Sequence, residues 1–331
     1  MQRISTNHAA GSQCLQSSGR SSFALRRFFR ATVLGSAAFL LGCAGADRND
    51  QRGFKTPEEG AAALVASLES GNIEELKAIL GPEGDEIISS GDPVSDQAEK
   101  KKFVERFREQ SRIERLSDEA AFVHVGSQDW PMPIPLVKFD GEWIFDTESG
   151  KEVIIDRRIG KNELNAIQVC LAYADAQEEY WREDRDGDGI LEYSQKFRSE
   201  PGKRDGLYWP TAEGEPPSPL GVLAAEAAEE GYRASKDAGR STPFHGYFYR
   251  ILTAQGPQAK SGAYDYVVNG SMVGGFALIA IPAEYGASGI MSFLVNHEGT
   301  VYEKDLGEKA PSEAAEIKTF DPDKTWSPVS Q

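Results

Sequence analysis

Twice along this chain the helical spacing of apolar residues gives way to strand alternation. Helices before strands in each half places the chain in the α+β class. Thr56-Pro57-Glu58-Glu59 reads as a helix start, with Thr56 as N-cap, Pro57 in the first turn and Glu59 closing a capping box. Ala61, Leu64, Val65 and Leu68 carry that helix to Gly71, and a second short helix runs from Ile73 to Leu80, ending at Gly81-Pro82. A third spans about Asp96 to Gln110, with Phe103, Val104 and Phe107 inward. Strands follow at Ala121–Val125, Ile134–Phe139 and Glu142–Asp146, with Asp140-Gly141 as a hairpin turn, and Glu152–Ile155 reads as a further strand. Asn162 then caps a fresh helix whose apolar face is traced by Leu164, Ile167, Cys170, Ala174, Gln177 and Trp181. An acidic helix (Leu220 to Lys236) precedes five strand candidates: Tyr247–Ala254, Tyr264–Val268, Gly275–Ile281, Gly289–Val295 and Thr300–Asp305. Asn296-His297-Glu298-Gly299 is a hairpin-type turn between the last two.

Ahead of the fold lies a segment of different character. Arg26-Arg27-Phe28-Phe29-Arg30 forms a positive region, and Ala31 to Leu41 is an eleven-residue apolar stretch. A bilayer span needs about 20 residues, so the stretch is too short to cross one. It ends in Leu40-Leu41-Gly42-Cys43, which resembles the lipobox of bacterial lipoproteins. The resemblance implies that residues 1–42 are a signal peptide and that Cys43 is lipidated as the first residue of the mature chain. Ala44 after the cysteine resembles the pattern sent to the outer membrane, and Arg26-Arg27 loosely resembles a twin-arginine signal. The expected organisation is a leader (1–42), a lipidated linker (43–53), a first α+β domain (54–158) and a second (159–331).

Charge and cysteines narrow the partners. Removing the five leader arginines leaves 31 basic against 52 acidic side chains, a formal charge near −21. Such a field repels phosphate backbones and anionic headgroups, so nucleic acid is an unfavourable partner and membrane contact is expected through the lipid anchor. At 40% apolar residues the chain has the material for real cores. With Cys14 in the leader and Cys43 lipidated, Cys170 stands alone and reads as a small buried hydrophobe.

Three resemblances bear on fold. The phrases TPEEGAAALVASLESGNIEELKAIL and PLVKFDGEWIFD look like exported members of the superfamily similar to nuclear transport factor 2, whose helices pack on a curved antiparallel sheet. The stretches Asp184–Tyr193, Asp205–Pro210, Pro216–Gly221, Gly246–Gly256 and Tyr302–Gly307 closely resemble a family of exported bacterial proteins known only by a domain of unknown function. A long helix leading to an Asp-x-Asp-Gly turn and a Gly-rich sheet is similar to the heads of type IV pilin-like proteins. No apolar assembly helix precedes Asn162, which departs from that last pattern.

Few residues carry a chemical signature. Asp184-x-Asp186-x-Asp188-Gly189 alternates carboxylates as calcium loops do, with Leu191 as an apolar anchor, Glu192 as a further oxygen donor, and Gln195 where the bidentate Glu is expected. The same residues serve as a solvated turn if no ion binds. Tyr247-Phe248-Tyr249 offers a stacking surface if exposed and a core strand if buried, and Glu284-Tyr285 is an acid-aromatic pair in a turn. No Gly-x-Ser-x-Gly, His-Glu-x-x-His or Cys-His signature occurs, and His124, His245 and His297 are not at ligand spacing. The expected function is therefore a non-catalytic envelope lipoprotein that binds or scaffolds an envelope protein or wall component at the periplasmic face of the outer membrane. The alternatives are an accessory subunit of a pilus or secretion system and a carboxylate-dependent hydrolase.

Overall fold

Side-chain caps set the starts of the early helices. In the computed structural model, which describes residues 51–185, 187–232 and 242–330, Thr56 accepts the Glu59 amide at 3.2 Å and opens α1 (Pro57–Ser70). Asn72 caps α2 (Ile73–Leu80) by accepting the Glu75 amide. The short α3 (Gly84–Ile88) follows, and Asp92 then caps α4 (Pro93–Glu109) by accepting the Val94 and Ser95 amides at 3.1 Å.

The first sheet contains β1 (Ser111–Arg115), β2 (Ala120–Val125), β3 (Trp130–Pro131), β4 (Leu136–Phe139) and β5 (Glu142–Phe145). Its strands are antiparallel in the order β1-β2-β4-β5, with β3 beside β2. Strand alternation is visible in β2, where Ala121, Val123 and Val125 are buried and the residues between them are half-exposed. These side chains meet Leu64, Leu76, Ile79 and Leu80 from α1 and α2 in a first core that also holds Ile134, Leu136 and Phe145.

α5 (Thr147–Trp181) is 35 residues long, about 50 Å at 1.5 Å per residue. It overturns two expectations. Glu152–Ile155 is helix rather than strand, and Asn162 lies inside the helix instead of capping it. The expected domain boundary at 158/159 therefore falls within a continuous element. The Val-Ile-Ile run favours strands only weakly, and packing overrides it: Ile154 packs against the first core, while Ala166, Cys170 and Tyr173 are buried in a second. The expected face is buried at Cys170, Ala174 and Gln177, but the buried surface is wider than expected and leaves out Leu164 and Trp181. Val169, Tyr173 and Tyr180 are buried, whereas Leu164 is 66% exposed. Gly150 is required where α5 meets the first layer, because a Cβ there would lie 2.6 Å from the Pro133 carbonyl oxygen.

Beyond α5 come α6 (Gly221–Glu229), β6 (Tyr247–Leu252), β7 (Ala254–Gln255), β8 (Tyr264–Asp265), β9 (Val267–Val268), β10 (Ser271–Met272), β11 (Ala277–Pro282), β12 (Met291–Asn296), β13 (Tyr302–Asp305), α7 (Ala310–Glu316) and β14 (Ser327–Pro328). The expected extension of the acidic helix to Lys236 runs outside the described residues. The main sheet is an antiparallel path β6-β11-β12-β13-β14, with β7–β8 and β9–β10 as small ribbons. Central β11 pairs on both sides, Ala280 facing Tyr249 and Phe293, and Leu278, Ile279 and Ala280 are fully buried. The second core fills around this strand with Tyr173, Tyr247, Tyr266, Phe276 and Phe293. The buried members of both cores lie between Phe54 and Trp326. Among the described residues no helix is long and apolar enough to cross a membrane.

Candidate functional site

An opening with mostly apolar walls lies in the first layer. A cavity of about 340 Å³ is walled by Leu64 and Leu68 of α1, Leu76 and Leu80 of α2, Phe103 of α4, Trp130 of β3, Met132 and Ile134 of the β3–β4 connection, and Ile154 of α5. Small-molecule sites of this kind run from about 300 to 1,000 Å³ and combine apolar walls with a few polar groups. Here the polar groups come from two helices. α4 supplies Asp96, Glu99, Lys100 and Lys102, and α5 supplies Arg157, Arg158 and Lys161.

Five cations thus face two carboxylates around the cavity, in a protein whose net charge is −16. Several are held in place. Lys161 pairs with Glu99 at 2.6 Å, and Arg158 donates to the Ile87 carbonyl at 2.6 Å and the Glu86 carbonyl at 3.3 Å. The Arg157 guanidinium lies 5.3 Å from the centre of the Trp130 ring, a cation–π contact. Asp96 accepts both the Ser90 amide and the Ser90 hydroxyl. Burial pushes the Glu99 carboxyl up, but Lys161, aided by Lys102 and Arg106, outweighs it and leaves Glu99 below its usual range. Burial lowers the Arg158 pKa, against the opposing charges of Asp96, Glu284 and Glu99.

A buried polar seam beside the cavity joins the two cores. Asp92 is fully buried; one carboxylate oxygen caps α4, and the other accepts the Gly246 amide and the Tyr232 hydroxyl, both at 2.8 Å. Tyr232 in turn accepts the His245 amide. Burial and the Asp92 charge push the Tyr232 phenol well above its usual value, and burial lowers the His245 imidazole. From α5, Asn162 donates to the Ser288 carbonyl at 2.9 Å and Glu163 accepts the Ile290 and Met291 amides. Gly246 has φ +77°, and a Cβ there would sit 2.4 Å from the Asn162 amide nitrogen, so only glycine fits the seam.

The residues singled out by sequence fall in separate places. Cys43 and Asp186 lie outside the described residues. Asp184 accepts the Gly187 and Gly189 amides, Asp188 accepts the Ile190 amide, and Glu192 accepts the Met272 amide at 3.1 Å. The loop is thereby closed on itself and tied to β10, and Leu191, expected as an apolar anchor, is 43% exposed. Among the described residues no group of three or more His, Cys, Asp or Glu side chains is placed to hold a metal ion. Tyr247 is wholly buried and donates to the Met291 carbonyl, and the Tyr249 hydroxyl is buried too. The pair therefore belongs to a core strand, the second of the two readings, and offers no stacking surface. Glu284 is exposed at the seam's edge, against Gly91. Desolvation pushes the Cys170 thiol up to about 12, as fits a buried hydrophobe.

Lys161, Arg158 and Asp92 were not legible as site residues. Gly91-Asp92-Pro93 does carry an N-cap signal, an Asp before a first-turn proline, and reading it would have started α4 three residues earlier. The cations were hidden in Arg157-Arg158-Ile159-Gly160-Lys161, which reads as a loop.

Two cores threaded by one helix, with a cavity in the first, make this an α+β protein with an internal small-molecule-sized chamber. It belongs to the family described as Protein of unknown function (DUF2950), whose model matches residues 51–329 and so takes in both cores. No curated protein and no solved structure matches the chain.

Proposed function

We propose that this chain is an exported envelope lipoprotein that binds a ligand in the cavity of its first layer and takes no chemical step itself. The observation that carries the binding reading is the cavity, apolar in its walls and charged at one side. Export and anchoring are supported by the positive region, the short apolar stretch and Leu40-Leu41-Gly42-Cys43. The lipid on Cys43 holds the protein at the periplasmic face of the outer membrane, within reach of envelope proteins and wall components. Helices ahead of an antiparallel sheet support the likeness of the first half to nuclear-transport-factor-2-like cones. A long helix ahead of a meander supports the likeness of the second to pilin-like heads.

The test is a titration of the chain from residue 44 with an apolar dye whose fluorescence rises out of water. Saturable binding of one dye per chain is expected, lost in Ile154→Trp or Leu68→Trp, which fill the cavity. Dye binding that these variants leave unchanged would place the ligand elsewhere. Calcium at the Asp184 loop is a separate proposal, supported by the alternating carboxylates. Melting curves in calcium and in chelator then differ by a few degrees, and superimposed curves reject it.

A further inference from the structure

We infer that the occupant of the cavity is a single-chain amphiphile with an anionic head, a fatty-acid carboxylate, its tail among Leu64, Leu76, Phe103 and Ile134 and its head among the cations of α4 and α5. The inference rests on the reading of the cavity as a ligand site and goes further by assigning the ligand's chemistry. Three observations argue for it together.

The first is shape and polarity. The cavity has room for one slender apolar chain: at roughly 30 Å³ for a group the size of a water molecule, about 340 Å³ accommodates on the order of eleven such groups. Its walls of leucine, isoleucine, methionine and aromatic side chains give a polar ligand body nothing to bond with, so anything buried there must be apolar along its length.

The second is the inversion of charge. The protein as a whole carries −16, yet the lining holds Lys100, Lys102, Arg157, Arg158 and Lys161 against Asp96 and Glu99. An acidic protein concentrates positive charge at an apolar opening only locally, and the local sign is what an entering head group meets.

The third is the supply of donors. Both carboxylates are engaged, Asp96 by Ser90 and Glu99 by Lys161. Lys161 retains two further N–H donors after that bond, because an ammonium has three. Lys100 and Lys102 make no hydrogen bond or ion pair within bonding distance among the described residues. The cations therefore have capacity for another oxygen anion, while Glu99 is already paired with Lys161 and both Asp96 oxygens already accept from Ser90.

The experiment uses the chain from residue 44, purified without detergent, and three probes with the same twelve-carbon tail: dodecanoate, dodecanol and dodecyltrimethylammonium. Affinity is read by displacement of the apolar dye. Dodecanoate is expected to bind at least about tenfold tighter than the cationic probe, with the alcohol between them. Lys102→Glu, on the exposed face of α4, should narrow that gap or reverse it without moving the melting temperature by more than a degree or two. Lys161→Met should narrow it as well, with the loss of stability that follows from its broken pair with Glu99. Equal affinity for the three heads, or preference for the cation, overturns the inference while leaving the cavity as a ligand site. Displacement by none of the probes, with the dye still binding in the cavity, overturns it as well. Failure of the dye itself to bind in a cavity-dependent way removes the underlying reading.

Discussion

Asp92 shows what a single residue contributes to this structure. Its two oxygens accept from Val94, Ser95, Gly246 and Tyr232, so one buried carboxylate both starts α4 and fastens it to the second core. Asp92→Asn keeps an oxygen for the cap but turns an NH₂ group toward the Gly246 amide, leaving that buried donor unsatisfied. A loss of about 1–3 kcal/mol is expected in urea unfolding, and a variant as stable as the parent would show that the bond contributes nothing. The Lys161–Glu99 pair behaves differently because it is half-exposed. Since the folded pKa of Glu99 lies below its unfolded value, the pair stabilises above the usual carboxylate range and the benefit fades as pH falls through the lower folded value. The stability gap between the parent and Lys161→Met should be larger at pH 7 than at pH 3, and a gap that widens on acidification contradicts the assignment. The Thr56 cap was legible from sequence because its signal is local, whereas Asn72 and Asp92 were not read as caps and Asn162, read as one, lies inside α5. The charged side of the cavity was not legible, because its members come from helices some 60 residues apart in sequence, as in the Lys161–Glu99 bond.

At the scale of elements, α5 decides the architecture and was the element least legible in sequence. Gly150, Gly160 and the Val153-Ile154-Ile155 run between them all speak against a helix locally. Two different causes lie behind the two glycines. Gly150 is forced by contact, since a side chain would strike the Pro133 carbonyl and Ile134; Gly160 has nothing within 4 Å of where its Cβ would be. Gly160→Ala is accordingly expected to stabilise the protein by about 0.5–1 kcal/mol, whereas Gly150→Ala should destabilise it, both measured by thermal or urea unfolding. The reverse pattern, with Gly160→Ala destabilising and Gly150→Ala tolerated, would mean that the helix is not packed as described. Four strands of the second half, β6, β11, β12 and β13, were read within about two residues of their limits because alternation and turn residues mark them on both sides. Tyr264–Val268, read as one strand, is instead split between β8 and β9 in different ribbons. What sequence could not show was the order β6-β11-β12-β13-β14, in which β6 passes over four short strands to pair with β11.

For the whole molecule, the consequence of threading one helix through two cores is cooperativity. Neither core can lose α5 without exposing apolar surface in the other, and the Asp92 and Asn162 bonds add polar ties across the same seam. Calorimetry of the chain from residue 44 should show one transition with equal calorimetric and van't Hoff enthalpies; two resolved transitions would mean that the halves fold separately. The family model, which runs unbroken over 51–329, treats them as one unit as well.

The central claim, a ligand held in the first-layer cavity, is tested most directly by native mass spectrometry of the lipoprotein extracted from its own envelope, alongside Ile154→Trp. The account predicts one small apolar anion per chain on the parent and none on the variant. An empty parent, or the same molecule retained equally by both proteins, would contradict it.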